Sequence, residues 1–250
     1  MFRLLNFEFR KLIRQKSFYV CIGVMLALLL FSAYTAELMT SESGIENPEL
    51  NGTNYLMEAV SSSSLFSVLA VFIPLFVCED YASGTIRNVI TRGFSRFEIF
   101  AAKLIAVIFA SVFMTAVCLA AAYLMGTAFW GSGDSAIGAE QIKILLCQLA
   151  VVIAYAALFF AISSTLQKVG GSIAICLILP MAAMILLSMA DAALAEHEIV
   201  LSKYWIENIS RSVSSFTVAA EDIKTALIGA GCYFAASIAA SWLLIMKKEY

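Results

Sequence analysis

Residues 79–103 read EDYASGTIRNVITRGFSRFEIFAAK, a polar interruption between two long apolar runs. Gly84 and Thr85 predict a joint followed by a helix N-cap, and Gly93 predicts a stop. Between them lies a short predicted helix, Ile86 to Arg92. Ile86, Val89 and Ile90 fall at i, i+3 and i+4 and share an apolar face, while Arg87 and Arg92 point elsewhere. Ser95 followed three residues later by Glu98 has the form of a capping box, so a second helix is expected to start there and run through Phe97, Phe100 and Lys103 into the next apolar run. The stretch therefore reads as an elbow between two apolar helices. Two roles fit it equally on these grounds: a surface that meets a partner, or an amphipathic connector lying among lipid headgroups.

The flanks decide the class. Of the 250 residues 62% are hydrophobic and 14% charged, with a mean hydropathy of +0.90, more apolar surface than a water-soluble domain can bury. Charges are absent from residues 17–36, 59–78, 104–133, 144–167, 169–190 and 225–246. Each run has about the 20 residues that a helix needs to cross the hydrocarbon core. They are too long and too uniformly apolar for barrel strands. The expected fold is thus an all-α integral membrane protein of six transmembrane helices forming one domain over residues 1–250.

Charge orients it. With both termini cytoplasmic, the inner segments hold 12 of the 16 basic residues and 5 of the 18 acids, leaving 4 bases and 13 acids outside. The excess of Lys and Arg on one side is what the positive-inside rule responds to. The first apolar run has no small-x-small cleavage site, since Tyr34 stands three residues before Ala36, so it is expected to remain as the first span.

Residues 1–16 place Phe2, Leu5, Phe9, Leu12 and Ile13 on one helical face and Arg3, Arg10 and Arg14 on another, with Lys11 among the basic set. An amphipathic helix along the inner leaflet is expected, serving either as a basic anchor or also as a partner contact. The loop from Glu37 to Glu58 is acidic, carries Asn47, Pro48, Asn51 and Gly52 as turn formers, and reads as solvated. Ser61 to Ser64 open the second span; their hydroxyls either line a wet path or bond back to helix carbonyls. Pro74 is expected to bend that span just before Glu79. Glu79 and Asp80 end it, where the helix dipole disfavours negative charge, and so require a cation from Arg87, Arg92, Arg96 or the N-terminal helix. Glu79, Asp80 and Lys103 are accordingly candidates for ion pairing.

Farther along, Trp130 is expected as an interface anchor in the outer connection 126–138. Gln167 and Lys168 join spans 4 and 5 in a tight hairpin. Trp205, Ile206, Ile209, Val213 and Phe216 recur at helical spacing, so short interfacial or re-entrant helices are expected outside, before span 6. Lys247 and Lys248 would snorkel to the inner headgroups. Ala116, Ala120, Ala122 and Gly126 offer small surfaces for close helix contact. The six cysteines fall one to each span without a C-x-x-C pair and read as packing residues.

Several activities find no residues to carry them. The dipeptide Gly-Lys of a nucleotide-binding P-loop is missing. The single histidine, His197, stands in an outer loop between Glu196 and Glu198, and the spans as drawn hold no acid or base, so neither a metal cluster, a nucleophile–histidine pair nor a carboxylate pair can be assembled within them. No catalytic residue and no directly bound cofactor or metal is expected, and no nucleic-acid partner.

The order Glu79, Ser83, Gly84, Thr85, Ile86, Arg87, then Gly93, Ser95, Arg96 and Lys103 resembles the E-x-x-x-G-T and S-R-x-x-x-x-x-x-K pattern of ABC-2 type permeases, the membrane subunits of ATP-binding cassette exporters. Here one extra residue, Asp80, separates the Glu from Gly-Thr. The opening FEFRKLIRQKS, residues 7–17, is similar to the N-terminal helix of these permeases, and the small size is similar to that of bacitracin-resistance and lantibiotic-immunity permeases.

The resemblance implies a non-enzymatic permease in a bacterial cell membrane, exporting an antimicrobial peptide, an antibiotic or a lipid-like molecule. Its ABC ATPase partner would bind ATP and Mg, and its second half would be an identical or related permease. Gly84, Thr85, Ile86, Arg87, Val89, Ile90, Arg92 and Arg96 would form the ATPase-coupling segment. The competing class is an ATPase-independent six-span channel or structural membrane protein. Against it stand spans without a polar stripe and an elbow that a passive linker does not require.

Overall fold

The computed structural model describes residues 1–43, 51–131, 138–194, 200–214, 218 and 220–246. Asn47, Pro48, His197 with its two glutamates, Phe216, Lys247 and Lys248 lie outside the described residues, as do the side chains of Arg87 and Ile90.

All regular structure among the described residues is helical: α1 (Phe2–Arg14), α2 (Lys16–Ser43), α3 (Gly52–Ser61), α4 (Ser63–Ala82), α5 (Thr85–Thr91), α6 (Arg96–Trp130), α7 (Ala139–Leu166), α8 (Val169–Ala193), a 3₁₀ turn at Ser202–Tyr204, α9 (Ile206–Ser212) and α10 (Ala220–Met246). Six of these, α2, α4, α6, α7, α8 and α10, are long and apolar enough to cross a membrane. They run alternately up and down, as contacts at the two ends establish. At one end, Phe100 opens α6 against Phe160 of α7 and Trp242 of α10, and Cys78 of α4 meets Ser172 of α8. At the other, Trp130 at the end of α6 donates to Glu37 of α2, and Gln148 near the start of α7 donates to the carbonyl of Met57 in α3. The first end carries α1 and α5 and is called the basic end below; the second is the far end.

The bundle has a centre and a rim. In α4 and α7, 67% of the most apolar window is buried, against 6% for α8 and 17% for α10, so the last two offer most of their apolar sides to lipid or to another chain. The centre is filled by aromatics: Phe72, Phe76, Tyr155, Phe159 and Phe160 are all buried. Five cysteines are buried and unpaired and only Cys232 is exposed, which fits packing. Gln167 turns α7 into α8 through a left-handed backbone (φ 57°), which lets the hairpin close within two residues. Pro180 lies within the continuous α8.

Two expectations are overturned at the far end. The segment before span 2 is not solvated throughout: residues 52–61 form α3, with Tyr55, Leu56, Met57, Ala59 and Val60 buried. The cause is a glycine pair. Gly126 of α6 meets Gly52 so closely that an added Cβ would lie 2.8 Å from the other's Cα, and the Gly52 N–H donates to the Gly131 carbonyl at 3.0 Å. Span 2 starts after a break at Ser62 (ψ 142°), within the run Ser61 to Ser64 that was expected to open it. Gly126 and Trp130 belong to α6, not to a connection, and Trp130 packs on Tyr55 as it bonds Glu37, so it fastens α2 and α3.

Of the serines, Ser62 bonds back to the Ala59 carbonyl, while Ser61 reaches across to that of Ser210 in α9. With Gln148 also donating to Val213, these bonds seat α9 deep in the far half of the bundle. Ala122 and Gly126 are buried, whereas Ala116 and Ala120 are exposed.

Candidate functional site

At the basic end the polar stretch is shorter than its charges indicate. Helix α4 continues through Glu79 and Asp80 to Ala82, and α6 starts at Arg96, so only residues 83–95 bridge them. Both expected local signals are present. Ser95 accepts from the Glu98 N–H at 3.2 Å while the Glu98 carboxylate accepts from the Ser95 N–H at 3.0 Å, closing the capping box. Gly84 and Gly93, at φ +68° and +85°, occupy the left-handed region that a side chain disfavours, and they fold the chain sharply at both ends of α5.

Ile86 and Val89 of α5 turn inward. Ile86 is buried, and Val89 packs with Phe94 and Leu5 against Leu4, Ile99 and Ala102. These members of the apolar face hold α5 against α1 and the start of α6 because burying them there removes apolar surface from water. Arg92, Gly93 and Arg96 are exposed, with Thr85 and Gly84 half-buried at the hinge. The outward surface of the elbow is therefore basic.

The anchorage beneath it is ionic and buried. Asp80 of α4 accepts from Lys103 of α6 and, at 2.5 Å, from Lys11 of α1; Lys103 also meets Glu8 of α1 at 3.2 Å. Glu8, Asp80 and Lys103 are each at most 4% exposed. The ring of Phe76 lies 4.9 Å from the Lys11 ammonium and 5.9 Å from that of Lys103, presenting its negative face to both. Two acids and two bases make the cluster neutral, which is how such charges are accommodated out of water. Glu79, beside it, is exposed and accepts from Gln15 at 2.8 Å, so it forms no ion pair among the described residues. The cations met by Asp80 come from α1 and α6, not from the elbow.

This arrangement revises α1 as well. Its protein-facing side is Leu4, Glu8, Lys11 and Leu12; Phe2 and Ile13, assigned to the same face as Leu12, are exposed. Arg3, Arg10 and Arg14 are exposed, but Lys11 is a member of the buried cluster and not of the outer basic set. Glu8 and Gln15 were missed as partners, although Leu4, Glu8, Lys11, Leu12 and Gln15 recur at helical spacing. Asp80 and Lys103, which stand just beyond the uncharged runs, are buried in the spanning helices themselves.

Mechanically, α1, α4 and α6 are tied at one point, and α5 lies on two of them. Among the described residues no group of three or more metal-ligating side chains occurs. No curated protein matches the chain. A family model described as ABC-2 family transporter protein matches residues 4–184.

Proposed function

The chain belongs to the ABC-2 family of transporter proteins, and from that premise we propose that it is the permease subunit of an ATP-driven exporter, with the elbow 83–95 as its joint to a separate ATPase. It is a multi-pass membrane protein, and transport, not catalysis, is the work of such a component. In this reading the basic end faces the cytoplasm of a bacterial cell, in line with its excess of Lys and Arg. The ATPase subunit binds ATP and Mg and meets Arg92, Arg96 and the outward part of α5. Arg3, Arg10 and Arg14 hold α1 to anionic headgroups alongside.

The observation that carries the proposal is the buried cluster of Glu8, Lys11, Asp80 and Lys103, which ties α1, α4 and α6 together where Val89 and Phe94 of the elbow pack on α1 and α6. Closure of two ATPases would tilt α4 and α6 in each of two permease halves, identical or related, and so alternate access to the substrate. The cargo proposed is an antimicrobial peptide, an antibiotic or a lipid-like molecule, which would make the pair an efflux or immunity system.

The test is purification of the tagged protein in mild detergent from its own host. A stoichiometric P-loop ATPase is expected to accompany the native chain and to be lost, by ten-fold or more, from an Arg92→Glu/Arg96→Glu variant that inserts at the native level. An intact, folded chain recovered alone would contradict the proposal.

A further inference from the structure

Beneath α9 lies a cavity of about 440 Å³, within the size range of small-molecule sites. Its floor is aromatic: Tyr155 stacks on Phe66 with centroids 4.3 Å apart and packs against Phe159 at 5.6 Å. Its rim is Glu207 and Arg211 of α9, paired at 3.0 Å. The wall from α8 contains Pro180, which has no N–H and so leaves the carbonyl of Cys176, also in the wall, without its helical donor. The Tyr155 hydroxyl has no hydrogen-bond partner among the described residues, and Glu207 and Arg211 lie within electrostatic reach of it.

We propose that this cavity binds a lipophilic organic cation, whose apolar groups rest on Phe66, Tyr155 and Phe159 and whose charge is neutralised by Glu207. The wall offers a freed carbonyl and a carboxylate as acceptors, beside the hydroxyls of Ser67 and Tyr155, which can also accept. Aromatic faces add an attraction for positive charge that strengthens out of water. Arg211, the cation among the described residues lining the cavity, is 63% exposed against 22% for Glu207, so it can turn to solvent and release the carboxylate. The far end holds 13 acids and 4 bases in sequence, which concentrates cations around the mouth. The cavity also shares Ser67 and Leu177 with a groove of about 500 Å³ that runs between α2 and α4 to Lys16 at the basic end, so a ligand has an apolar route along the bundle. As a station for exported substrate the site rests on the permease reading; as a binding site it does not.

Radiolabelled tetraphenylphosphonium, measured by equilibrium dialysis against the purified full chain in lipid nanodiscs, tests the site. Saturable binding at one site per chain is expected, undisplaced by triphenylphosphine oxide, an uncharged aryl compound of similar bulk. Glu207→Gln should weaken it about ten-fold and Arg211→Gln should strengthen it, both being rim changes that leave the core intact. Absence of saturable binding, an unchanged affinity in Glu207→Gln, or displacement by triphenylphosphine oxide at equal concentration would each overturn the proposal. None of these outcomes bears on recovery of the ATPase, so the two readings fail separately.

Discussion

Lys103→Met is expected to leave a protein that inserts but unfolds far more easily than the native chain. The substitution keeps the length of the side chain and removes its charge, so Glu8 loses its cation and Asp80 keeps only Lys11. Breaking one partner out of a buried pair costs about 3–5 kcal/mol, because the remaining charge is left uncompensated. Set against total stabilities on the order of 5–15 kcal/mol, that is a large fraction. A fall in the unfolding midpoint on the order of 10 °C follows for a chain of this length, measurable by thermal unfolding in detergent.

The double variant Glu8→Gln/Lys103→Met should recover much of the loss, since it leaves the neutral pair Asp80–Lys11 and no orphaned carboxylate. A Lys103→Met protein as stable as the native one would show that the cluster does not bind α1 to the spans.

The second large effect is at the far end. Gly126→Leu forces a side chain into space already filled by the backbone of Gly52, with the first added atom 2.8 Å from that Cα. Backbone cannot swing aside as a side chain can, so α3 has to move as a body. Overpacking of this kind costs about 1–3 kcal/mol. Displacement of α3 also breaks the bonds by which the Tyr55 hydroxyl reaches Ser32 and the Leu29 carbonyl, both 2.8 Å. Met57 reports it: this side chain is fully buried in the native fold. With the native Cys232, which is exposed, changed to serine, a Met57→Cys probe should resist a water-soluble maleimide when Gly126 is kept and react when Gly126→Leu is added. A cysteine that stays unreactive there would mean that α3 is not seated by the glycine pair.

The spanning helices were legible because each signal is local: an uncharged run of sufficient length, a capping box at Ser95, glycines at 84 and 93. What remained hidden depends on contacts between distant segments. Residues 52–58 look like a solvated loop because Asn51 and Gly52 favour turns; only the complementarity of Gly52 with Gly126, far away in sequence, makes them a buried helix. The apolar face of α5 was visible as a face, but amphipathicity does not say which neighbour it covers, and Ile86 and Val89 cover their own chain.

Glu8 was counted as one more polar residue of an interfacial helix. Its burial becomes affordable only when Lys103 arrives from α6, and no periodicity within α1 announces that. The cavity beneath α9 is likewise assembled from four segments, none of which has a ligand signature of its own.

The central claim is that the elbow at the basic end joins this permease to an ATPase, and photocrosslinking in native membranes tests it most directly. A benzophenone amino acid placed at Arg92, exposed on the elbow, is compared with one at Leu124, exposed near the opposite end of α6. The account predicts a crosslinked product between position 92 and a P-loop ATPase, with none from position 124. A chain that crosslinks to no ATPase from position 92, or equally from both positions, would contradict it.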